Sequence, residues 1–153
     1  MDASRLADLE EIKQLKARYF RLMDTKQWDA WGDVFSEDCS MDSGPPGAPT
    51  VHGRREIVAY VRGHIEHVVT THHGHMPEIQ FTGPDTASGI WAMFDQLRGP
   101  GFEVDGWGHY HETYRRCADG RWRIASTRLT RLRIESPDPN LVAALWPEGK
   151  PQK

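Results

Sequence analysis

Cysteine is nearly absent from this chain: two of 153 residues, Cys39 and Cys117. Neither belongs to a CxxC pair, which argues against a thiolate zinc site and against a disulfide framework. No apolar run approaches the roughly 20 residues that a membrane helix needs. The opening Met1-Asp2-Ala3-Ser4 lacks the basic and then apolar regions of a secretory leader. Both thiols are therefore expected to be free, in a reducing cytoplasm. Basic stripes and Lys-rich runs are missing too, and the net charge is −3. Neither a nucleic acid nor a membrane is an expected partner. The phosphate-cradling GxGxxG and GxxxxGK[ST] patterns and the GxSxG nucleophile turn do not occur.

What is present suits one globular domain: 38% apolar, 27% charged and 10% aromatic residues. The core is expected over about 4–135, with the remainder as a tail. Leu6, Leu9, Ile12, Leu15, Tyr19 and Leu22 recur every three or four residues, which predicts a helix from about 4 to about 25. A short second helix is expected through Trp28, Trp31, Val34 and Phe35, and a short strand near Cys39 to Asp42. Residues 43–50 hold three prolines and two glycines and must form a loop. Ile57, Val58, Val61 and Ile65 mark a third helix, beginning near Gly53.

The rest reads as four long strands. They are expected over Val68–Phe81, Thr86–Leu97, Gly106–Cys117 and Arg121–Glu135, separated by Gly83-Pro84-Asp85, Gly99-Pro100-Gly101 and Asp119-Gly120. Leu141 to Trp146 forms a short apolar cluster in the tail, which should pack on something. Helices first and a meander of strands afterward predict an α+β fold. A curved sheet wrapped around the first helix makes a cone-shaped barrel with an open end, a natural ligand pocket.

Several side chains could carry chemistry. Thr70-Thr71-His72-His73-Gly74-His75 places three histidines within four strand positions, so at least one faces inward. Gly74 hints at a bulge, so alternation alone does not say which. His109 and His111 form a second HxH pair. Five histidines could build a metal site, but Glu112 alternates to the other face, and no metal is expected. Asp95 shares a strand face with Trp91, Met93 and Leu97. A carboxylate in an apolar row is costly unless paired or functional, although the same spacing fits a solvated strand end. Asp24 ends the first helix near its apolar stripe, and Tyr19 lies on that stripe. Arg131 shares a face with Leu129, and by alternation so does Arg133, which leaves the choice between them open.

The helix Glu10–Phe20 with the following LMDTKQWDAWGDVF resembles the opening of the SnoaL-like proteins, members of the nuclear transport factor 2-like superfamily. HHGHMPEIQFTGPDTASGIWAMFDQL and ETYRRCADGRWRIAS resemble their sheet, so the likeness covers about residues 4–135. It implies three N-terminal helices packed on a curved mixed sheet that encloses a pocket. Within the superfamily the pattern is most similar to that of the bile acid 7α-dehydratases, with the scytalone dehydratases more distant. Their first-helix tyrosine and aspartate fall on Tyr19 and Asp24. Their histidine falls on His72, because Gly74-His75-Met76-Pro77-Glu78-Ile79 follows in register. Their second aspartate falls on Asp95, and their last-strand arginine on Arg131. The third strand, with Trp107, His109 and His111, departs from that pattern, as does the tail.

The resemblance implies a cofactor-independent dehydratase-type lyase acting on a polycyclic, steroid-like or aromatic alcohol. In it His72, held by Asp24, is the proton-transferring base, Tyr19 a hydrogen-bond donor, and Asp95 a second acid–base group. Arg131 would bind a polar substrate tail, with His73, Trp91 and His109 beside it in the pocket. An apolar small molecule is the expected partner, within a homodimer or homotrimer. An isomerase, a polyketide-type cyclase and a non-catalytic small-molecule-binding module remain as alternatives.

Overall fold

A computed structural model describes residues 1–153. The first helix, α1 (Ala3–Asp24), starts where the Asp2 carboxylate accepts the Arg5 N–H at 2.9 Å, an N-terminal cap. Its stripe Ile12, Leu15, Tyr19, Leu22 and Met23 is buried. The helix ends at Thr25, whose backbone N–H donates to the Arg21 carbonyl at 3.0 Å, and Lys26 turns the chain through φ 59°. Helix α2 (Trp28–Gly32) and strand β1 (Phe35–Asp42) follow.

Here the structure differs from the expectation. The second helix stops at Gly32, and Phe35 already belongs to β1, because the Val34 carbonyl accepts the Ile124 N–H of the last strand at 2.9 Å. Val34 and Phe35 are buried as the helical spacing suggests, but the sheet buries them.

The loop 43–50 leads to β2 (Val51–His52), Gly53 at φ 95°, and α3 (Arg54–Ile65). Four long strands complete the sheet: β3 (Val69–Phe81), β4 (Thr86–Gly99), β5 (Phe102–Arg116) and β6 (Trp122–Glu135). β5 begins earlier than expected, because Gly99-Pro100-Gly101 is a tight hairpin with Gly99 opposite Phe102. The six strands lie in the order β2-β1-β6-β5-β4-β3, and every neighbouring pair is antiparallel except β1 and β6. This is the expected α+β architecture of helices on a curved, mixed sheet. Helix α4 (Pro139–Leu145) lies in the tail.

The core sits between α1 and the inner sheet face. Trp31, Phe35, Tyr114 and Trp122 are at most 1% exposed, each such ring contributing about 1.5–3 kcal/mol of burial. Gly74 lets β3 close on α1, since a Cβ there would overlap the Phe20 ring. The bulge lies two residues beyond Gly74, where pairing with β4 shifts between His75 and Glu78 and Met76 takes φ 42°. No helix is long and apolar enough to cross a membrane.

Candidate active site

His72 is the inward-facing member of the histidine cluster. On β3 it alternates with exposed Thr71 and His73 and is itself 9% exposed. α1 ends where Asp24 meets it. Asp24 Oδ1 lies 2.6 Å from His72 Nδ1, and Oδ2 accepts the His72 backbone N–H at 2.8 Å. Thr70 Oγ1 donates to Oδ1 at 2.9 Å and itself accepts from Lys26 Nζ at 2.8 Å. A carboxylate only accepts, so Nδ1 carries a proton that points at Asp24, and in the neutral ring Nε2 keeps its lone pair.

Nε2 faces Asp95, whose Oδ2 is 3.9 Å away, too long for a hydrogen bond. His72 and Asp95 are cross-strand partners on β3 and β4. Asp95 is 3% exposed and held by both arms of Arg131, at 2.7 Å (Nη1 to Oδ1) and 3.0 Å (Nη2 to Oδ2). The fork satisfies both oxygens, which a buried carboxylate requires. Arg131 reaches across β5 because Gly106 stands opposite Asp95; a Cβ at Gly106 would overlap both Arg131 Nη1 and Asp95 Oδ1. Asp24, His72, Asp95 and Arg131 thus form one line of polar side chains, drawn from α1, β3, β4 and β6.

A groove of about 400 Å³ runs between α1 and β3, with Asp24 and His72 in its wall and Phe20, Ala17 and Trp91 supplying apolar surface. Trp91 faces inward and donates its indole N–H to Tyr114 Oη at 2.8 Å.

Tyr19 is 4% exposed and stands in the aromatic core, 5.6 Å from Trp31 and 5.9 Å from both Phe35 and Tyr110, measured between ring centres. No hydrogen bond joins it to His72. Burial pushes its phenol far up, the nearby Glu112 charge adds to this, and a hydrogen bond from Tyr110 opposes it. Tyr110 is itself pushed up, first by burial and then by Tyr19 and Asp95.

Beneath them lies a pair that sequence reasoning missed. Lys16 and Glu112 form a salt bridge with both side chains fully buried. Lys16 Nζ sits 3.8 Å from the Tyr19 ring centre and 3.7 Å from that of Tyr110. Glu112 also accepts from Tyr114 Oη at 2.6 Å and Thr127 Oγ1 at 3.0 Å. Burial pulls the Lys16 ammonium's pKa down while Glu112 opposes. The signal was in reach: Lys16 lies four residues from Ile12, and Glu112 shares a strand face with Tyr110 and Tyr114.

The structure corrects two expectations. His73 borders the groove with His72, its ring on the outer sheet face 6.4 Å from Phe94. His109 also stands outside, beside His111 at 6.4 Å, because the inner face of β5 is Val104, Gly106, Gly108, Tyr110, Glu112 and Tyr114. His109 therefore stands apart from the groove that His72 and His73 line. Arg133 does not share the face of Arg131. A bulge lets Trp107 pair with Arg133 and Gly108 with Arg131, and the Arg133 guanidinium lies over the outer Trp107 ring at 4.1 Å.

Residues 4–128 match the model of the SnoaL-like domain, and the chain belongs to that family. A Gibberella zeae protein named as a probable cyclase is 27% identical over 134 residues, spanning 79% of this chain and 89% of its own. The fold is shared with a protein of Novosphingobium aromaticivorans provisionally named a scytalone dehydratase (TM-score 0.80, 19% identity, 90% of this chain and 93% of the other). It is also shared with the type 3 hexachlorocyclohexane dehydrochlorinase LinA of Novosphingobium barchaimii (TM-score 0.77, 19% identity, 88% and 93%).

Proposed function

We propose that this protein is a cofactor-independent lyase that eliminates water from a polycyclic, steroid-like or aromatic alcohol. The reading rests on one observation: His72 is fixed through Nδ1 by Asp24, so that Nε2 is free and aimed toward Asp95 and Arg131. An oriented imidazole with one open nitrogen is a general base. Nε2 takes the proton from a carbon beside a carbonyl or phenol. Those electrons form the new double bond as the C–O bond breaks, and the departing hydroxyl leaves as water with a proton from the imidazolium. The Arg131 guanidinium, already paired with Asp95, supplies positive charge near the developing oxyanion. The steroid-like substrate class rests on the likeness of Tyr19, Asp24, His72, Asp95 and Arg131 to the bile acid 7α-dehydratase pattern.

The cyclase-named relative favours a second reading, in which the same base starts an isomerisation or ring closure. Incubation with a panel of hydroxysteroid enones and aromatic alcohols, followed by mass spectrometry, separates the two. Loss of one water from a panel member, abolished in His72→Ala, is the expected result. Conversion at unchanged mass selects the isomerase. Near wild-type turnover by His72→Ala rejects the role of His72. A panel that binds but is never converted selects a binding module.

A further inference from the structure

Arg131 is held by more than its ion pair. β1 pairs with β6 only as far as Asp42 opposite Arg128. Beyond that point the side of β6 facing away from β5 has no strand beside it, and residue 152 takes the vacant place. The Arg131 N–H donates to Gln152 Oε1 at 2.8 Å, and the Arg131 carbonyl accepts the Gln152 N–H at 2.9 Å. One residue therefore satisfies both main-chain polar atoms of Arg131, groups that are costly to leave unpaired away from water.

The segment between is anchored as well. Asp138 caps α4, accepting from the Asn140 N–H at 2.9 Å. Leu141, Val142, Leu145 and Trp146 pack against the separate apolar cluster of Leu97, Val104 and Ile134. Leu97 is two residues from Asp95 on the same inner row, so α4 covers the sheet just beyond the Asp95–Arg131 pair. The Trp146 indole N–H donates to the Lys150 carbonyl at 2.9 Å, tying the helix to the residues that reach Arg131.

We propose that the segment after β6 is a strap and that Gln152 is a positioning residue. By clamping the Arg131 backbone it sets where the guanidinium meets Asp95, and so where Asp95 stands opposite His72. This rests on the lyase reading only for its consequence in turnover; the clamp itself is testable without any substrate.

The experiment compares wild type, Gln152→Ala and Gln152→Glu by nitrogen-resolved NMR. In wild type the Arg131 amide exchanges slowly with solvent, and its guanidinium N–H groups, fixed by the fork, give separate signals. In Gln152→Ala, Arg131 amide exchange should rise at least tenfold and the guanidinium signals should average, while the Val104 and Tyr110 amides keep their protection. Gln152→Glu keeps an oxygen acceptor and should restore both. Unchanged Arg131 exchange in Gln152→Ala overturns the clamp. Faster exchange with the guanidinium still fixed overturns the positioning role and leaves Gln152 as a mere finish to the sheet edge. Where a substrate is in hand, Gln152→Ala should lower kcat with little change in KM. Should the lyase reading fail, only that last measurement is lost.

Discussion

Asp24 grips His72 at two points: Oδ1 lies 2.6 Å from Nδ1 of the ring, and Oδ2 takes the backbone N–H at 2.8 Å. The first contact sets the ring's proton, and the second ties strand β3 to the end of α1. One carboxylate thus joins orientation of the base to packing of the fold, and its substitutions should separate the two.

Asp24→Asn keeps the size and an acceptor oxygen but removes the charge and permits the wrong histidine tautomer. Turnover is expected to fall by about 10²–10⁴ with the fold intact. Asp24→Ala also strands the Thr70 hydroxyl and the His72 N–H, and should cost about 1–3 kcal/mol in urea unfolding. Equal activity in Asp24→Asn and wild type would mean that the dyad only supports the structure.

Gly106→Ala is the least invasive way to break the other arm. The added methyl overlaps the Arg131 guanidinium and the Asp95 carboxylate, which must part. A loss of turnover comparable to that of Asp95→Asn, with far-ultraviolet circular dichroism unchanged, is the expected outcome. A fully active Gly106→Ala would place the Asp95–Arg131 pair outside the chemistry.

The Lys16–Glu112 pair should behave as a unit. Lys16→Met leaves a buried carboxylate without its cation and should cost about 3–5 kcal/mol. Adding Glu112→Gln removes the stranded charge, so the double variant should be more stable than Lys16→Met alone. Denaturant midpoints of the two singles and the double check this, and strict additivity would contradict it.

Alkaline pH should unfold the protein through its phenols. Burial raises the folded-state pKa of Tyr19, Tyr110 and Tyr114 above the ordinary value of 10.0. Above pH 10 the unfolded chain loses these protons and the folded chain keeps them, so stability is full below that pH and falls as pH rises beyond it. Lys16 works the other way. Its lowered folded-state pKa makes stability rise with pH up to its ordinary 10.5. Phenolate absorbance should therefore increase in a cooperative step together with loss of tertiary circular dichroism. Gradual ionisation of these three phenols in a folded protein would refute it.

Much of this was legible in the residue order. The 3.6-residue stripe from Ile12 to Leu22 defined α1 because its apolar face had to meet a core, although Leu6 at the start of the expected stripe is exposed, and the turn dipeptide Asp119-Gly120 separated the last two long strands. The expected cone of helices on a curved sheet is the one observed. His109 was misplaced because nothing in one strand's alternation says which of its faces looks inward. That is decided by the neighbour it pairs with. Arg131 and Arg133 looked equivalent for a related reason: a bulge between them reverses the face, and a bulge is a property of two strands.

What the chain determined alone was local: periodic burial, turn chemistry, and the presence of an imidazole, two carboxylates and an arginine in recognisable contexts. What tertiary structure decided was every meeting between them. Asp24 and His72 are 48 residues apart, and Asp95 and Arg131 are 36 apart. Such contacts exist only once sheet register and helix docking are set, because a hydrogen bond depends on ångström distances that separation along a flexible chain leaves free. The room left by Gly106, the clamp from Gln152 and the ammonium of Lys16 between two phenols belong to the same class, being relations among strands and helices rather than properties of any segment.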